Sequence, residues 1–233
     1  MTLTRSPIMN INPDILKNSP VFAGIESQEI RLMLDAIPYH EQKFAKGDIL
    51  AMQDEPCNRL IILTKGFVKA EMSDASGKVV KVEDIYAPNP LAILFLFGPN
   101  NRFPVEVTAR EEVEALVIPQ KSVLKMLQMN ERLLLNFLNI SAVYASMLSK
   151  KLHLMSFRTI RQKLSMYLLD LSKPDKKVVE LDRTQIALAE YFGVSRPSLA
   201  RELSNMQDEG LIEINRKHIT ILQRNKLVQM ITF

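Results

Sequence analysis

Between Glu131 and Phe157 the sequence carries neither glycine nor proline, and its apolar residues recur at helical spacing. One stripe runs Leu133, Phe137, Ile140, Tyr144, Met147, Lys151 and Leu154. A second runs Leu134, Leu138, Ser141, Ala145, Leu148, Leu152 and Met155. A helix that is apolar on two faces needs two partners. One is the body of its own chain. The other is expected to be the same helix of a second copy, in a homodimer with Phe137, Ile140, Tyr144, Met147, Lys151 and Leu154 at the interface. A helix enclosed within a monomer would carry the same two stripes, and Lys151 interrupts the first.

The helix divides the chain into two textures. Residues 12–37 read as a helical lead-in, with Ser27 as an N-cap and Pro38 beyond the end. From Tyr39 to Ile118, short β-type runs alternate with turn signals. The runs are Leu60–Leu63, Gly66–Met72, Val79–Tyr86, Val105–Ala109 and Glu114–Ile118. The separators include Lys46-Gly47-Asp48, Asp54-Glu55-Pro56, Asp74-Ala75-Ser76-Gly77 and Gly98-Pro99-Asn100-Asn101. Strands this short and this closely spaced predict an antiparallel sandwich or barrel. Beyond Phe157 lies a helical pattern over Ile160–Leu171, then a polar break from Lys173 to Lys177. Two helical runs split by Gly193 follow, and then two short strands around Asn215-Arg216-Lys217. The expected domains are residues 1–130, the helix 131–157, and 158–233.

Composition removes whole classes. A chain of 233 residues that is 47% hydrophobic, with 30 Lys+Arg against 26 Asp+Glu, is not intrinsically disordered. Its single cysteine, Cys57, excludes a disulfide framework and a cysteine-only iron–sulfur cluster within one chain. The apolar run Leu91–Phe97 is far below the ~18–20 residues of a membrane span. The N-terminus lacks the basic-then-apolar pattern of a secretory signal. A soluble cytoplasmic protein with no membrane partner is expected. The net charge of +4 is unevenly placed: residues 1–157 hold 17 Lys+Arg and 17 Asp+Glu, leaving 13 and 9 for residues 158–233. A basic terminal third suits a polyanion.

The stretch Thr184 to Met206 explains that charge. Ile186 and Leu188 begin the buried side of a first helix, and Ala189 is small where helices cross. Gly193 supplies the positive φ of a tight turn, which Val194 plugs. Ser195 is a natural N-cap for a second helix, and Pro197 in its first turn needs no N–H partner. Leu199 and Leu203 bury that helix, leaving Arg196, Pro197, Ala200, Arg201 and Ser204 outward. Arg196 and Arg201 suit bidentate contacts to guanine, and Pro197 and Ala200 offer apolar contact to a thymine methyl. Thr184, Ser195 and Ser198 suit phosphate oxygens, as does Lys217 in the turn between the last strands. The pattern predicts a winged helix-turn-helix suited to double-stranded DNA.

Residues 181–222, and above all Val-Ser-Arg-Pro-Ser-Leu-Ala-Arg, resemble the DNA-binding module of the CRP/FNR family of bacterial transcription regulators. Lys46-Gly47-Asp48-Ile49-Leu50 and Leu60 to Val68 resemble that family's cyclic-nucleotide-binding jelly roll, and the long helix resembles its dimerisation helix. The resemblance implies an α+β chain with an N-terminal antiparallel jelly-roll barrel, a long dimerisation helix and a C-terminal winged helix-turn-helix. It implies a homodimeric regulator on an inverted repeat, controlled by a small effector in the barrel, and contact with RNA polymerase if it activates. It also matches Arg196 and Arg201 to base-reading positions, Thr184, Ser195 and Ser198 to phosphate contacts, and Lys217 to a wing contact.

The sensor end departs from the family pattern. Members that bind cyclic nucleotides carry Gly-Glu-Leu and, about ten residues on, Arg-Ser or Arg-Thr. Here Ala92-Ile93-Leu94 and Phe103-Pro104 stand at those places, and Arg102, one residue away, belongs on the opposite face of an extended segment. A buried phosphate without cation or hydroxyl is poorly stabilised, which argues against cyclic AMP or cyclic GMP. The expected effector pocket is lined by Pro90, Leu91, Ile93, Phe95 and Phe103, with Arg102 at its margin, and suits an apolar or planar ligand. Leu91–Phe97 with Asn101 to Val105 is similar to the subgroup that regulates hybrid-cluster-protein genes under nitrosative stress, a subgroup linked to haem. Met72, His40, His153 and His218 are then the candidate axial ligands. A constitutive DNA binder with a degenerate sensor is the alternative. Glycine-rich phosphate loops, metal spacings and nucleophile elbows are missing from the sequence, so no enzyme is expected.

Overall fold

A computed structural model describes residues 12–74, 79–172 and 177–232, so the separator Ala75–Gly77 and most of the polar break after Ser172 lie outside the described residues. The chain forms two compact units, residues 1–143 and 144–233, with the division falling inside the long helix.

In the first unit, α1 (Pro13–Leu16), a 3-10 turn (Pro20–Phe22) and α2 (Ser27–Asp35) precede the strands. Ser27 is the first residue of α2 rather than its cap. Glu26 takes the cap position, and the Ser27 hydroxyl donates to Asp14. Eight strands follow: β1 (His40–Phe44), β2 (Ile49–Ala51), β3 (Arg59–Lys65), β4 (Phe67–Ser73), β5 (Val79–Tyr86), β6 (Pro90–Leu91), β7 (Glu106–Ala109) and β8 (Val113–Pro119). They make two four-stranded antiparallel sheets, β1-β8-β3-β6 and β2-β7-β4-β5. Leu60, Ile61, Ile62 and Leu63 of β3 are each at most 2% exposed, because that inner strand is covered on both faces. β5 lies at a sheet edge, and Val79, Val80 and Val82 remain exposed there.

Gly66 makes the turn from β3 to β4. Its φ is +79°, and a Cβ at this position would lie 2.5 Å from the carbonyl oxygen of Glu112. Gly193, at φ +67°, has open space where its Cβ would be. Gly66→Ala is therefore expected to lose the roughly 1–3 kcal/mol of a strained backbone and more for the backbone clash. Gly193→Ala is expected to lose only about 1–2 kcal/mol. Urea unfolding of the two variants checks the ranking, and equal midpoints would show that the backbone at Glu112 yields.

After β8 come α3 (Gln120–Met129) and α4 (Glu131–Ser156). The sequence reading misses α3, although Val123, Met126 and Leu127 give it a buried side. In α4 the stripe expected to meet a second copy is largely engaged within the chain. Phe137 and Ile140 pack on the barrel core, and Leu154 belongs to the core of the second unit. The Lys151 ammonium lies 4.9 Å from the centroid of the Tyr191 ring, which accounts for a lysine in an apolar stripe. Tyr144 and Met147 are the members of that stripe left exposed. The second stripe is the open one: Leu134, Leu138, Leu148, Leu152 and Met155 are between 38% and 69% exposed.

The second unit continues with α5 (Ile160–Leu171), β9 (Val178–Glu180), α6 (Gln185–Phe192), α7 (Arg196–Asp208), β10 (Ile212–Asn215), β11 (His218–Ile221) and α8 (Arg224–Ile231). Thr159 and Gln162 form a capping box at the start of α5. Its sheet is antiparallel, ordered β10-β11-β9. Leu188, Ala189, Phe192, Leu199, Leu203 and Met206 bring α6 and α7 into one core with Ile219 and Ile221. Ile186 is not on that buried side. It is 54% exposed, because residues two apart on a helix point to nearly opposite faces. The architecture is the expected α+β one of antiparallel sheets, long helix and helix-turn-helix. Among the described residues no helix is long and apolar enough to cross a membrane.

Candidate nucleic-acid interface

The helix-turn-helix is built by local chemistry. The Thr184 hydroxyl accepts the Ala187 N–H at 3.2 Å and starts α6. Gly193 ends it in the left-handed conformation, and the Val194 N–H closes the turn on the Ala189 carbonyl at 3.0 Å. The Ser195 hydroxyl accepts the Ser198 N–H at 3.2 Å and starts α7, with Pro197 in the first turn. Leu199, Leu203 and Met206 are 0%, 2% and 0% exposed. Arg196, Pro197, Ser198, Ala200, Arg201 and Ser204 are all exposed, so α7 has a buried side and a free side.

Capping does not use up the hydroxyls. Ser195 Oγ and Ser198 Oγ lie 2.8 Å apart and share one proton between them. Two hydroxyls carry two protons, so one remains to donate outward, as a phosphate contact requires. Lys217 sits with Arg216 in the turn between β10 and β11, where Asn215 pairs with His218. The Lys217 carbonyl accepts the Leu181 N–H at 2.8 Å, which ties the wing to the strand leading into α6. Arg216, at φ +56°, is exposed beside it. The sequence reading named Arg216 only as part of a turn. The signal was there: a second cation adjacent to Lys217 at the tip of a legible hairpin.

Two other cations of this unit are spent inside it. Arg161 pairs with Glu202 and Glu209, and Arg183 pairs with Asp182 at 2.9 Å while lying over the Tyr191 ring. The Tyr167 hydroxyl donates to Asp182. Burial and that carboxylate push Tyr167 above its usual range, while the Arg183 guanidinium holds Asp182 below its own. Among the described residues, no ion pair or side-chain hydrogen bond ties up Arg196, Arg201, Arg216 or Lys217. Four uncommitted cations therefore stand on α7 and the wing.

The residues expected to line the effector pocket do not share one surface. Leu91, Ile93 and Phe103 are buried in the barrel core, and Pro90 is half-buried. Phe95 is 38% exposed, because the 3-10 turn Ile93–Phe95 puts Ile93 inward and turns Phe95 out. Arg102 is exposed, and its guanidinium donates to the Asp54 carbonyl instead of facing the core. Phe103 is fully enclosed, with the Arg59 guanidinium 5.4 Å from its centroid and Arg59 itself paired to Glu55 at 2.6 Å. Both nearby guanidinium groups are thus held by groups of the chain. Cys57 is buried, and burial pushes its thiol up to about 11, so it stays a neutral thiol.

A haem does not fit the proposed axial ligands. Met72, His40, His153 and His218 are all exposed, on β4, β1, α4 and β11 in turn. None of them provides the enclosed apolar setting that an axial ligand needs.

The chain matches two family models, the cyclic nucleotide-binding domain over residues 41–130 and the Crp-like helix-turn-helix domain over residues 162–230. It is 24% identical over 189 residues to the cAMP-activated global transcriptional regulator CRP of Salmonella typhimurium, covering 78% of this chain and 89% of the relative. It is 24% identical over 204 residues to the global nitrogen regulator of Synechococcus elongatus, covering 83% and 90%. Among solved structures it is similar to the catabolite activator protein of Thermus thermophilus, with a TM-score of 0.55, 18% identity, and 91% and 98% of the two chains covered.

Proposed function

The chain belongs to the CRP/FNR family of bacterial transcription regulators, and on that premise we propose that it acts as a homodimer on an inverted-repeat operator under the control of a small effector that is not a cyclic nucleotide. It is a DNA-binding regulator with a cyclic-nucleotide-binding-like domain, not an enzyme. The observation that carries the operator reading is the free side of α7. Arg196 and Arg201 stand exposed, with no ion pair among the described residues, on a helix whose other side is locked into the core by Leu199, Leu203 and Met206. Two copies related by a two-fold axis would present two such helices to half-sites about one helical turn apart. The exposed stripe of α4 supports the dimer. If the regulator activates, RNA polymerase is its further partner, and the cytoplasm is its place of work.

The effector reading rests on the barrel. A bound cyclic phosphate needs a cation facing inward, whereas Arg59 and Arg102 are engaged with Glu55 and the Asp54 carbonyl, and Phe103 is packed where the family's arginine belongs. The second reading, a constitutive DNA binder with a closed sensor, is favoured by the burial of Leu91 and Phe103 in the core.

Fluorescence anisotropy at several salt concentrations tests the main proposal, with a site selected by the chain from random DNA. The selected palindrome should bind at least about a thousandfold tighter than random DNA. Equal binding would overturn it. Cyclic AMP should leave the melting temperature unchanged. Tight operator binding by the purified chain, insensitive to every aromatic or apolar ligand offered, would favour the constitutive reading.

A further inference from the structure

We propose that Arg161 is a positioning residue for DNA recognition, fixing the rotation of α7 about its own axis so that Arg196 and Arg201 point in one direction. This rests on the operator reading above. Arg161 lies in the first turn of α5, directly after the capped junction that follows α4. Its Nε donates to the Glu202 carboxylate at 2.5 Å, and its Nη1 and Nη2 donate to Glu209 at 2.9 and 2.7 Å. Glu202 directly follows Arg201, and Glu209 is the C-cap of α7.

Residues seven apart share one face of a helix, two turns from each other. A planar guanidinium gripping both points resists rotation of the helix in a way that one contact could not. Bidentate base contacts tolerate errors of only about 0.5 Å, so rotational freedom in α7 would be felt first in specificity. The same turn of α5 also holds α6: Lys163 donates to the Phe192 carbonyl at 2.9 Å, at the C-terminal end of that helix. Both helices of the motif thus hang from one helical turn. The contact is charge-assisted as well, since Arg161 holds the Glu209 carboxyl below its usual range.

The alternative is that Arg161 only offsets part of the negative charge of two carboxylates near the DNA. Three variants of the full-length chain separate the two roles. The operator selected by the wild-type chain and a random duplex of equal length are the probes, and thermal midpoints report the fold. R161A should lower the ratio of operator to random affinity by about tenfold or more, with binding to the random duplex within about twofold. R161K keeps the charge but cannot span both carboxylates, and should lose a similar share of the ratio. E202Q/E209Q removes two negative charges, which alone would strengthen binding to all DNA. Under the proposal it lowers the ratio nonetheless. An R161K chain with wild-type specificity would overturn the proposal, as would an E202Q/E209Q chain that binds operator and random DNA equally more tightly. A wild-type chain with no preference for its selected site would overturn the operator reading, and this proposal with it.

Discussion

A chain carrying Leu148→Lys and Leu152→Lys is expected to sediment as a monomer and to bind its operator about 10²–10⁴-fold more weakly, without loss of either folded unit. Leu148 and Leu152 are 63% and 69% exposed and belong to neither core, so their replacement removes no core packing. Surface changes of that kind usually alter stability by less than about 0.5 kcal/mol. Between two copies the same change is severe, because each ammonium would have to be desolvated at an apolar seam. A dimer gains its operator affinity by converting the second half-site into an intramolecular encounter. A monomer forfeits that gain and keeps only the contacts of one α7. Analytical ultracentrifugation and anisotropy on one preparation check the pair of effects. A variant that stays dimeric would move the interface off this stripe. Phe137→Lys makes the contrast, since it should cost folding stability in the first unit, where Phe137 packs on the barrel core and stacks edge-on with Phe97 at 5.6 Å.

That contrast marks the limit of what is legible in the sequence. The existence of α4 and its two apolar faces follow from spacing alone. Which face meets the barrel does not, because the stripes through Leu133 and Leu134 are equally apolar and the choice belongs to the other wall of the contact. The helix-turn-helix is the opposite case. Its caps at Thr184 and Ser195, its left-handed Gly193 and its buried Leu199 and Leu203 are each set by neighbours within a few residues, so the local pattern suffices. Ile186 is the exception, and its error is one of helical phase. The sensor end is the least legible. Phe95 and Phe103 have the same chemistry, yet one turns outward and the other is enclosed, and that depends on how a 3-10 turn and the loop before β7 pack. Short elements such as β6 and β9 escape for the same reason: two or three residues hold too little pattern to be read without their partner strands.

Arg201→Ala should weaken operator binding by roughly 1–3 kcal/mol per half-site and relax the preference at one base position. In a symmetric dimer each operator meets the change twice, so the whole loss is about 2–6 kcal/mol, roughly 30-fold to 10⁴-fold in affinity. The physical reason is the geometry of α7. Arg201 is exposed one residue before Glu202, which Arg161 holds to the side, so among the described residues the Arg201 fork has no competing carboxylate partner. A guanidinium that reads guanine from that position would use two acceptors and lose both when truncated. Lys217→Ala is the internal control. An ammonium at the wing tip can meet only a phosphate, so its loss should weaken operator and random DNA by similar factors. It should also reduce the slope of affinity against salt by about one unit per half-site. The two variants therefore differ in kind as well as in size. Base preference measured on single-substitution operators, beside the salt slope, separates them. If Arg201→Ala lowered all sequences uniformly and changed only the slope, Arg201 would be a phosphate contact, and the base-reading role on α7 would fall to Arg196, whose guanidinium is equally uncommitted at the opening of the helix.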